Sequence, residues 1–353
     1  MKKILNQQDM RDLNLNSVLR LIRHAGPITR RQIEAALDLS WGAVSGATAT
    51  LLQGGYIKEV KAPDVAGAGR TPVALVINSE DHFILGLDIN RSGLSGVVVD
   101  QTGHVLLRTK AEATALTKDE WIGEISALTE RLLHFAGKRS VLAIGIAMQG
   151  AVDAQRGISA VFPAEGWQNV PLADILSKRF GLPVFLEHDP DCILYAASAD
   201  RELQDAVLLR VDKGTGMAVM LDGKIFKRFG AFELGFTVQN GHTLDDRITT
   251  RGIATAAGCP FSEAVAAAKA GDPHKLALFD ALADDLATAM INVAQLLNVK
   301  EFLLCGNMMS CKELFRERLI AAAGDLSIDE TDVGLAAVGA ALLAAARHKI
   351  RFE

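Results

Sequence analysis

Apolar residues recur at helical spacing near the start of the chain. Leu15, Val18, Leu19 and Ile22 share one face of a helix predicted over residues 14–24, and Gly26-Pro27 ends it. Thr29 is placed to cap a second helix, Arg30–Leu37, with Ile33 and Leu37 inward. Ser40 is placed to cap a third, Trp41–Gln53, which carries Val44, Ala47, Leu51 and Leu52 and closes at Gly54-Gly55. The pattern then becomes that of strands. Residues 56–60 and Val73–Ile77 read as a hairpin whose tip holds Gly69-Arg70-Thr71-Pro72.

From Phe83 the pattern changes again. Residues 84–89 form an apolar run containing Asp88, and residues 94–100 and 104–111 are further strands around the turn Gln101-Thr102-Gly103. An amphipathic helix over 121–135 follows, then a buried strand over 141–148 that leads into Gln149-Gly150-Ala151-Val152-Asp153. A helix over 171–180 precedes a strand over 182–186. That strand runs into Glu187-His188-Asp189-Pro190-Asp191 and a helix over 192–199. The order then partly repeats. Strands over 206–211, 217–221 and 224–226 are separated by turns at Gly214-Thr215-Gly216 and Asp222-Gly223. A helix over 278–297, the strand Glu301–Cys305 and helices over 313–322 and 334–346 complete the chain.

Three helices and a hairpin over residues 1–78 predict a winged helix-turn-helix. Two halves, each a three-stranded meander followed by alternating helix and strand, predict a two-lobed α/β body of the actin-like ATPase kind, each half ribonuclease-H-like. The body is expected over 79–353, with lobe one over about 79–190 and lobe two over about 191–353.

The 353 residues are 49% apolar and 22% charged, as in an ordinary globular protein. There is no apolar run long enough for a membrane span, and the N-terminus lacks the features of a signal peptide. Cys192, Cys259, Cys305 and Cys311 are scattered without a CxxC pair, which predicts reduced thiols and a cytoplasmic protein. Charge divides unevenly: residues 1–77 carry +4, so the remainder carries −9. A basic head on an acidic body suits nucleic-acid binding, with a small protein-interaction domain as the alternative. Ser40, Trp41, Ala43 and Ser45 would lie nearest the bases at the start of the third helix, with Thr29 and Arg30 opening the second. Arg70 in the tip would reach phosphate or the minor groove. The third helix has no Arg or Lys to read guanine, so specificity would either be modest or be carried by Ser, Thr and Trp contacts and DNA shape.

Asp189 stands at the carboxyl end of a predicted strand, where ligands bind in open α/β sheets; the same position suits a helix N-cap. His188 reads equally as a surface or supporting histidine, Glu233 as a hinge carboxylate, and Trp167 as packing.

On these residues the chain resembles the ROK family of repressors and sugar kinases. The resemblance spans nearly everything: the winged helix with its Gly69-Arg70-Thr71-Pro72 tip, the lobe from Leu85, the segment from Gly145 through Gly150 to Asp153, and Gly166-Trp167 to Leu172. Residues 182–191, Gly214-Thr215-Gly216 and Glu233-Leu234-Gly235 complete it. Kinase-only members lack the winged helix. The resemblance therefore implies a transcriptional regulator that binds operator DNA as a homodimer or homotetramer and answers to a sugar-like ligand, with no membrane partner. The implied ligand contacts are Gly150, His188, Asp189 and Glu233.

The sequence departs from the family pattern at several places. The phosphate turn Asp-x-Gly-Gly-Thr is Asp88-Ile89-Asn90-Arg91-Ser92; the second phosphate turn, Gly214-Thr215-Gly216, is kept, though it equally suits a tight hairpin; and a third, later glycine pair is Gly306-Asn307. Close approach of backbone N–H groups to phosphate favours glycine there, so no catalytic residue and no cofactor is expected. The Gly-His and cysteine cluster of the family's zinc site is replaced by Gly235-Phe236 and a cysteine-free stretch to Gly258, so no metal is expected. In the sugar pocket, Asp189 matches the family's general base and Glu233 is kept, whereas His188, Phe236 and Pro163 replace an Asn, a His and an Asn. Two alternatives stand beside the regulator: a divergent ATP-dependent sugar kinase, and a constitutive DNA-binding dimer that has lost its effector.

Overall fold

The computed structural model describes residues 6–62, 73–112, 117–227, 232–239 and 241–350. At the N-terminus, helices Gln7–Ala25, Arg30–Leu37 and Trp41–Gln53 pack with the antiparallel pair Ile57–Lys61 and Val73–Ile77. Leu15, Val18, Ile22, Ile33, Val44, Leu51 and Leu75 form their shared core. The first helix is two turns longer than its apolar stripe predicts. Asn6 and Asp9 form a reciprocal capping box that extends it over polar residues. Thr29 and Ser40 cap the second and third helices as expected, Thr29 in a capping box with Gln32. Ile28–Thr29 adds a short third strand beside Val73–Ile77. The tip expected to carry Arg70 lies outside the described residues.

The remainder holds two five-stranded sheets of identical topology. In space the first runs Val184–His188, Ser140–Met148, His82–Asn90, Gly93–Asp100, Val105–Ala111. The second runs Ser327–Glu330, Glu301–Cys305, Ala206–Val211, Thr215–Leu221, Lys224–Ile225. Each therefore places its fifth strand at one edge, then the fourth, first, second and third, so the predicted repeat of element order is present. Ser327–Glu330, which completes the second sheet, is an addition to the expected elements.

Side-chain alternation assigns the faces of each sheet. Leu87, Ile89, Ile144, Ile146, Met148 and Leu186 meet helices Lys118–Ala136 and Leu172–Phe180 on the outside of the first sheet. Val207, Leu209, Val219, Phe302 and Leu304 meet the long helix Pro273–Leu297 outside the second. Between the sheets lie helices Asp189–Arg201 and Ala336–Arg347. Glycine makes this layer possible. A Cβ on Gly145 would come within 2.0 Å of the Ala340 carbonyl oxygen, and one on Gly339 within 1.8 Å of that of Cys192. The helices over 245–269, between the second meander and the long helix, bury few apolar residues and give little periodic signal.

Among the described residues the three-helix head meets the body through several contacts, Arg23 Nη1 donating to the Ala345 carbonyl at 3.3 Å among them. Tyr56 stacks on His82 with ring centroids 4.3 Å apart, and a His82 Nε2–Gly54 carbonyl contact of 2.7 Å lies beside it. At the other end of the chain, the Asn16 side chain holds both backbone groups of Ile350, donating to its carbonyl (2.7 Å) and accepting from its N–H (2.9 Å). Ile350 is part of the head's apolar core.

Candidate functional site

The parallel register brings three strand ends together. Asp88, Ala147 and Glu187 stand side by side on adjacent strands, and Ile89, Met148 and His188 form the next row. Asp88 and Glu187 thus share the face that looks toward the central helices. From the second sheet, Arg210 occupies the same inward-facing register as Ala206 and Leu208 near the end of its strand. It points at the same place.

Asp189 is 2% exposed, and its Oδ2 is ion-paired with the Arg210 guanidinium. Arg210 Nε also donates to Asp212 Oδ2 at 2.7 Å. Burial works against the Arg210 charge, but Asp189 and Asp212 more than offset it and hold the guanidinium above its usual range. His188 Nε2 lies 3.6 Å from Asp189 Oδ1. Burial nevertheless holds the imidazole below its usual range, against the pull of Asp189 and Glu233, so it is neutral near pH 7. Asp88 accepts from Asn90 Nδ2 at 3.0 Å, and among the described residues its buried Oδ1 has no hydrogen-bond partner. Burial, reinforced by the Asp189 charge, pushes the carboxyls of Asp88 and Asp191 up to about 7.

A second ionic group lies one residue away. Glu187, fully buried, pairs with both Lys227 and Arg347. Arg347 also donates to the Ala154 carbonyl (3.1 Å) and lies over the Phe185 ring. Burial, then the Arg347 charge, lowers Lys227 to about 8.

The turns matching the family's phosphate-binding positions have their backbone donors engaged. Arg91 N–H donates to Gln149 Oε1 and Ser92 N–H to Asn90 Oδ1, both at 2.9 Å. Thr215 N–H donates to Asp245 Oδ1 at 3.0 Å, and Asn307 N–H to Asp212 Oδ1 at 2.6 Å. Two of these four acceptors are carboxylates, which would also repel phosphate.

The expected site residues are placed as follows. His188 and Asp189 lie at the centre of the cluster. Asp189 is not the helix N-cap: that position is His188, whose side chain makes no capping bond, and Asp189 opens the helix with its carboxylate drawn to Arg210. Glu233 is exposed, precedes the turn Leu234–Phe236 and acts electrostatically on His188. Gly150, at φ 95°, packs so tightly that a Cβ would lie 2.2 Å from the Val161 carbonyl oxygen; its backbone need is structural. Phe236 is 65% exposed, while Trp167 is buried and donates to Ser159 Oγ at 2.9 Å, as packing requires. The Gly214-Thr215-Gly216 turn is also corrected: Thr215 and Gly216 open a strand, and the bend falls at Asp212–Gly214, closed by Asp212 N–H donating to the Gly214 carbonyl. Sequence reading overlooked Arg210. Its signal is one cation in the otherwise apolar run Ala206–Val211.

In the head, Thr29 and Ser40 spend their hydroxyls on caps. Arg30 reaches Thr48 (3.1 Å) and Glu59 (2.9 Å), bracing the hairpin against the third helix. Trp41 is 51% exposed at the start of that helix, with Ala43 and Ser45 half-buried beside it.

Comparison with known proteins places this geometry. The ROK family model matches residues 84–343. The xylose repressor of Caldicellulosiruptor bescii is 28% identical over 67% of this chain and 60% of its own length. The DNA-binding transcriptional dual regulator NagC of Escherichia coli is 28% identical over 64% of this chain and 56% of its own. The match thus spans about six-tenths of the curated relatives' length. Among solved structures, a ROK family transcriptional regulator, a homologue of the E. coli MLC protein, superposes with TM-score 0.81 at 21% identity. It covers 96% of this chain and 97% of its own. The ROK hexokinase of Thermus thermophilus gives TM-score 0.65 at 22% identity, over 74% of this chain and 97% of its own. These likenesses establish the two-lobed actin-like fold. With the family model matching most of its length, the chain belongs to the ROK family.

Proposed function

We propose that this protein is a ligand-responsive, DNA-binding transcriptional regulator, that its inter-lobe cleft senses a small polar molecule of the sugar type, and that it has no kinase activity. The observation that carries the reading is the engagement of four backbone N–H groups, at three phosphate-binding turns, by the protein's own side chains. A nucleotide would have to displace each one. The Arg210–Asp189 pair adds to this, because a general base must be free to take a proton.

The basic head, its exposed Trp41 and the names of the repressor relatives support operator DNA as partner. Asp189 is almost fully buried, so a ligand reaches it only when the lobes part. Opening would disturb Glu187, which Arg347 holds. Three residues after Arg347, Ile350 holds Asn16 in the first helix of the head. The ligand must bind the two arrangements unequally for this route to move the head. A dimer or tetramer with two-fold symmetry would match paired half-sites.

A coupled ADP-release assay over a panel of sugars tests the separation from the kinases. The proposal predicts no turnover above background; sugar-dependent turnover on the scale of ordinary enzymes, roughly 1 s⁻¹ or faster, contradicts it.

A further inference from the structure

Building on the sensor reading, we infer that the cleft takes a hydroxyl-rich ligand without an anionic group, and that a protonated amine on the ligand strengthens binding. Four backbone donors at the phosphate-type turns are already engaged. Arg91, Ser92, Thr215 and Asn307 give their N–H groups to internal acceptors, and the acceptors at the last two are Asp245 and Asp212. Arg210, the cation at the centre, is shared between Asp189 and Asp212. A phosphate or carboxylate entering beside Asp189 would meet the like charge of Asp88, Asp189 and Asp212, and the Arg210 guanidinium beside them is already shared.

Among the described residues, one acceptor at the site is left without a donor. Asp88 Oδ1 is buried without a partner on a side chain that is 7% exposed, and Asp88 and Asp189 are close enough to act on each other's charge. Glu233 presents a further exposed carboxylate and acts on His188. Hydroxyl groups satisfy such acceptors, and an ammonium does so with charge assistance. The raised carboxyls of Asp88 and Asp191 report the same surplus of negative field, which a cationic ligand would relieve.

The test is calorimetric titration of the full chain with glucose, mannose and galactose, each as the neutral sugar, the 2-amino-2-deoxy sugar, the 6-phosphate and the uronic acid. The expected result, in whichever stereochemical series binds, is tightest binding of the amino sugar. The phosphate and uronate should be weaker than the neutral sugar by about tenfold or more. A phosphate or uronate that binds as tightly as its neutral parent overturns the inference while leaving the sensor reading intact. Failure of every compound, with DNA binding preserved, overturns the sensor reading and this inference with it. Asp212→Asn, which releases Arg210 from one carboxylate, should narrow the gap between phosphate and neutral sugar. Asp245→Asn provides a second variant if the first does not fold, and unchanged discrimination in either folded protein refutes the charge argument.

Discussion

Arg210, near the end of the first strand of the second sheet, is ion-paired with Asp189, the first residue of the helix that leaves the first sheet. In the relatives that are kinases, the resemblance assigns the Asp189 position to the catalytic base. Here that carboxylate is committed to a cation from the other lobe, and the same cation is held by Asp212. The pair therefore connects the two halves at the position where a kinase would run its chemistry.

Removing one partner should expose the cost of the other. Arg210→Ala leaves Asp189 buried and unpaired, and is expected to destabilise the native state by about 3–5 kcal/mol. Arg210→Leu combined with Asp189→Asn should recover most of that. Urea denaturation of the single and double variants measures it; a loss below about 1 kcal/mol for Arg210→Ala would mean that the pair is not buried in solution.

Stability should fall as pH rises from about 4 to about 7. Asp88 and Asp191 have folded-state values raised to about 7 from an ordinary 3.8, so in this window the native state retains protons that the unfolded chain has released. Their contribution is fully present below the unfolded value and is lost through the folded one. Asp88→Asn should raise the Tm at pH 8 and flatten this part of the profile, by about 1–3 kcal/mol at 25 °C. Thermal melts from pH 4 to pH 8 on both proteins test the sign; a variant less stable than the parent at pH 8 contradicts it.

The head should loosen when its tail contact is cut. Asn16→Ala removes both hydrogen bonds to Ile350, one in each direction. Amide exchange in Gln7–Ala25 is expected to quicken by about tenfold, the equivalent of 1.4 kcal/mol. DNA affinity should stay within a few-fold, while any effector response weakens. Unchanged exchange and unchanged response would remove the tail from the coupling route.

Two residues of the head should behave differently on DNA. Trp41→Ala is expected to weaken specific binding by about tenfold or more without changing the salt dependence, because an indole contact releases no counterion. Arg30→Ala should act mainly through stability, since its guanidinium braces Thr48 and Glu59. A reduced salt slope with undiminished stability in Arg30→Ala would instead make it a phosphate contact.

Much of the fold was legible because it rests on local signals. Thr29 and Ser40 act as caps, the hairpin strands fall where alternation puts them, and the first meander follows its turn at Gln101-Thr102-Gly103, whereas the second bends two residues earlier than its glycines suggest. The apolar stripe marks only the second part of the first helix, because Asn6 and Asp9 cap a polar stretch ahead of it. The elements over 245–269 leave no mark in the sequence, because Thr250–Ala257 and Phe261–Lys269 each bury only two residues, too few for a period to show. At the candidate site, His188 and Asp189 could be read from their place at a strand end. Their partners could not, because Arg210 is 21 residues from Asp189 and Arg347 is 160 from Glu187. Sequence spacing carries no information about pairs made by packing two sheets against a shared helical layer. The changed glycines at Asn90-Arg91 were legible as a loss, whereas the side chains that now fill their donors emerge only from the fold.

DNA binding is the activity proposed for this ROK chain. Its most direct test is a fluorescence-anisotropy titration of the full chain with duplex DNA from its own promoter region, against a scrambled duplex of equal length, at about 0.15 M salt. Binding to the promoter duplex should be at least about a thousand-fold tighter than to the scrambled duplex, weakening steeply with added salt. Equal, weak affinity for both duplexes would contradict it.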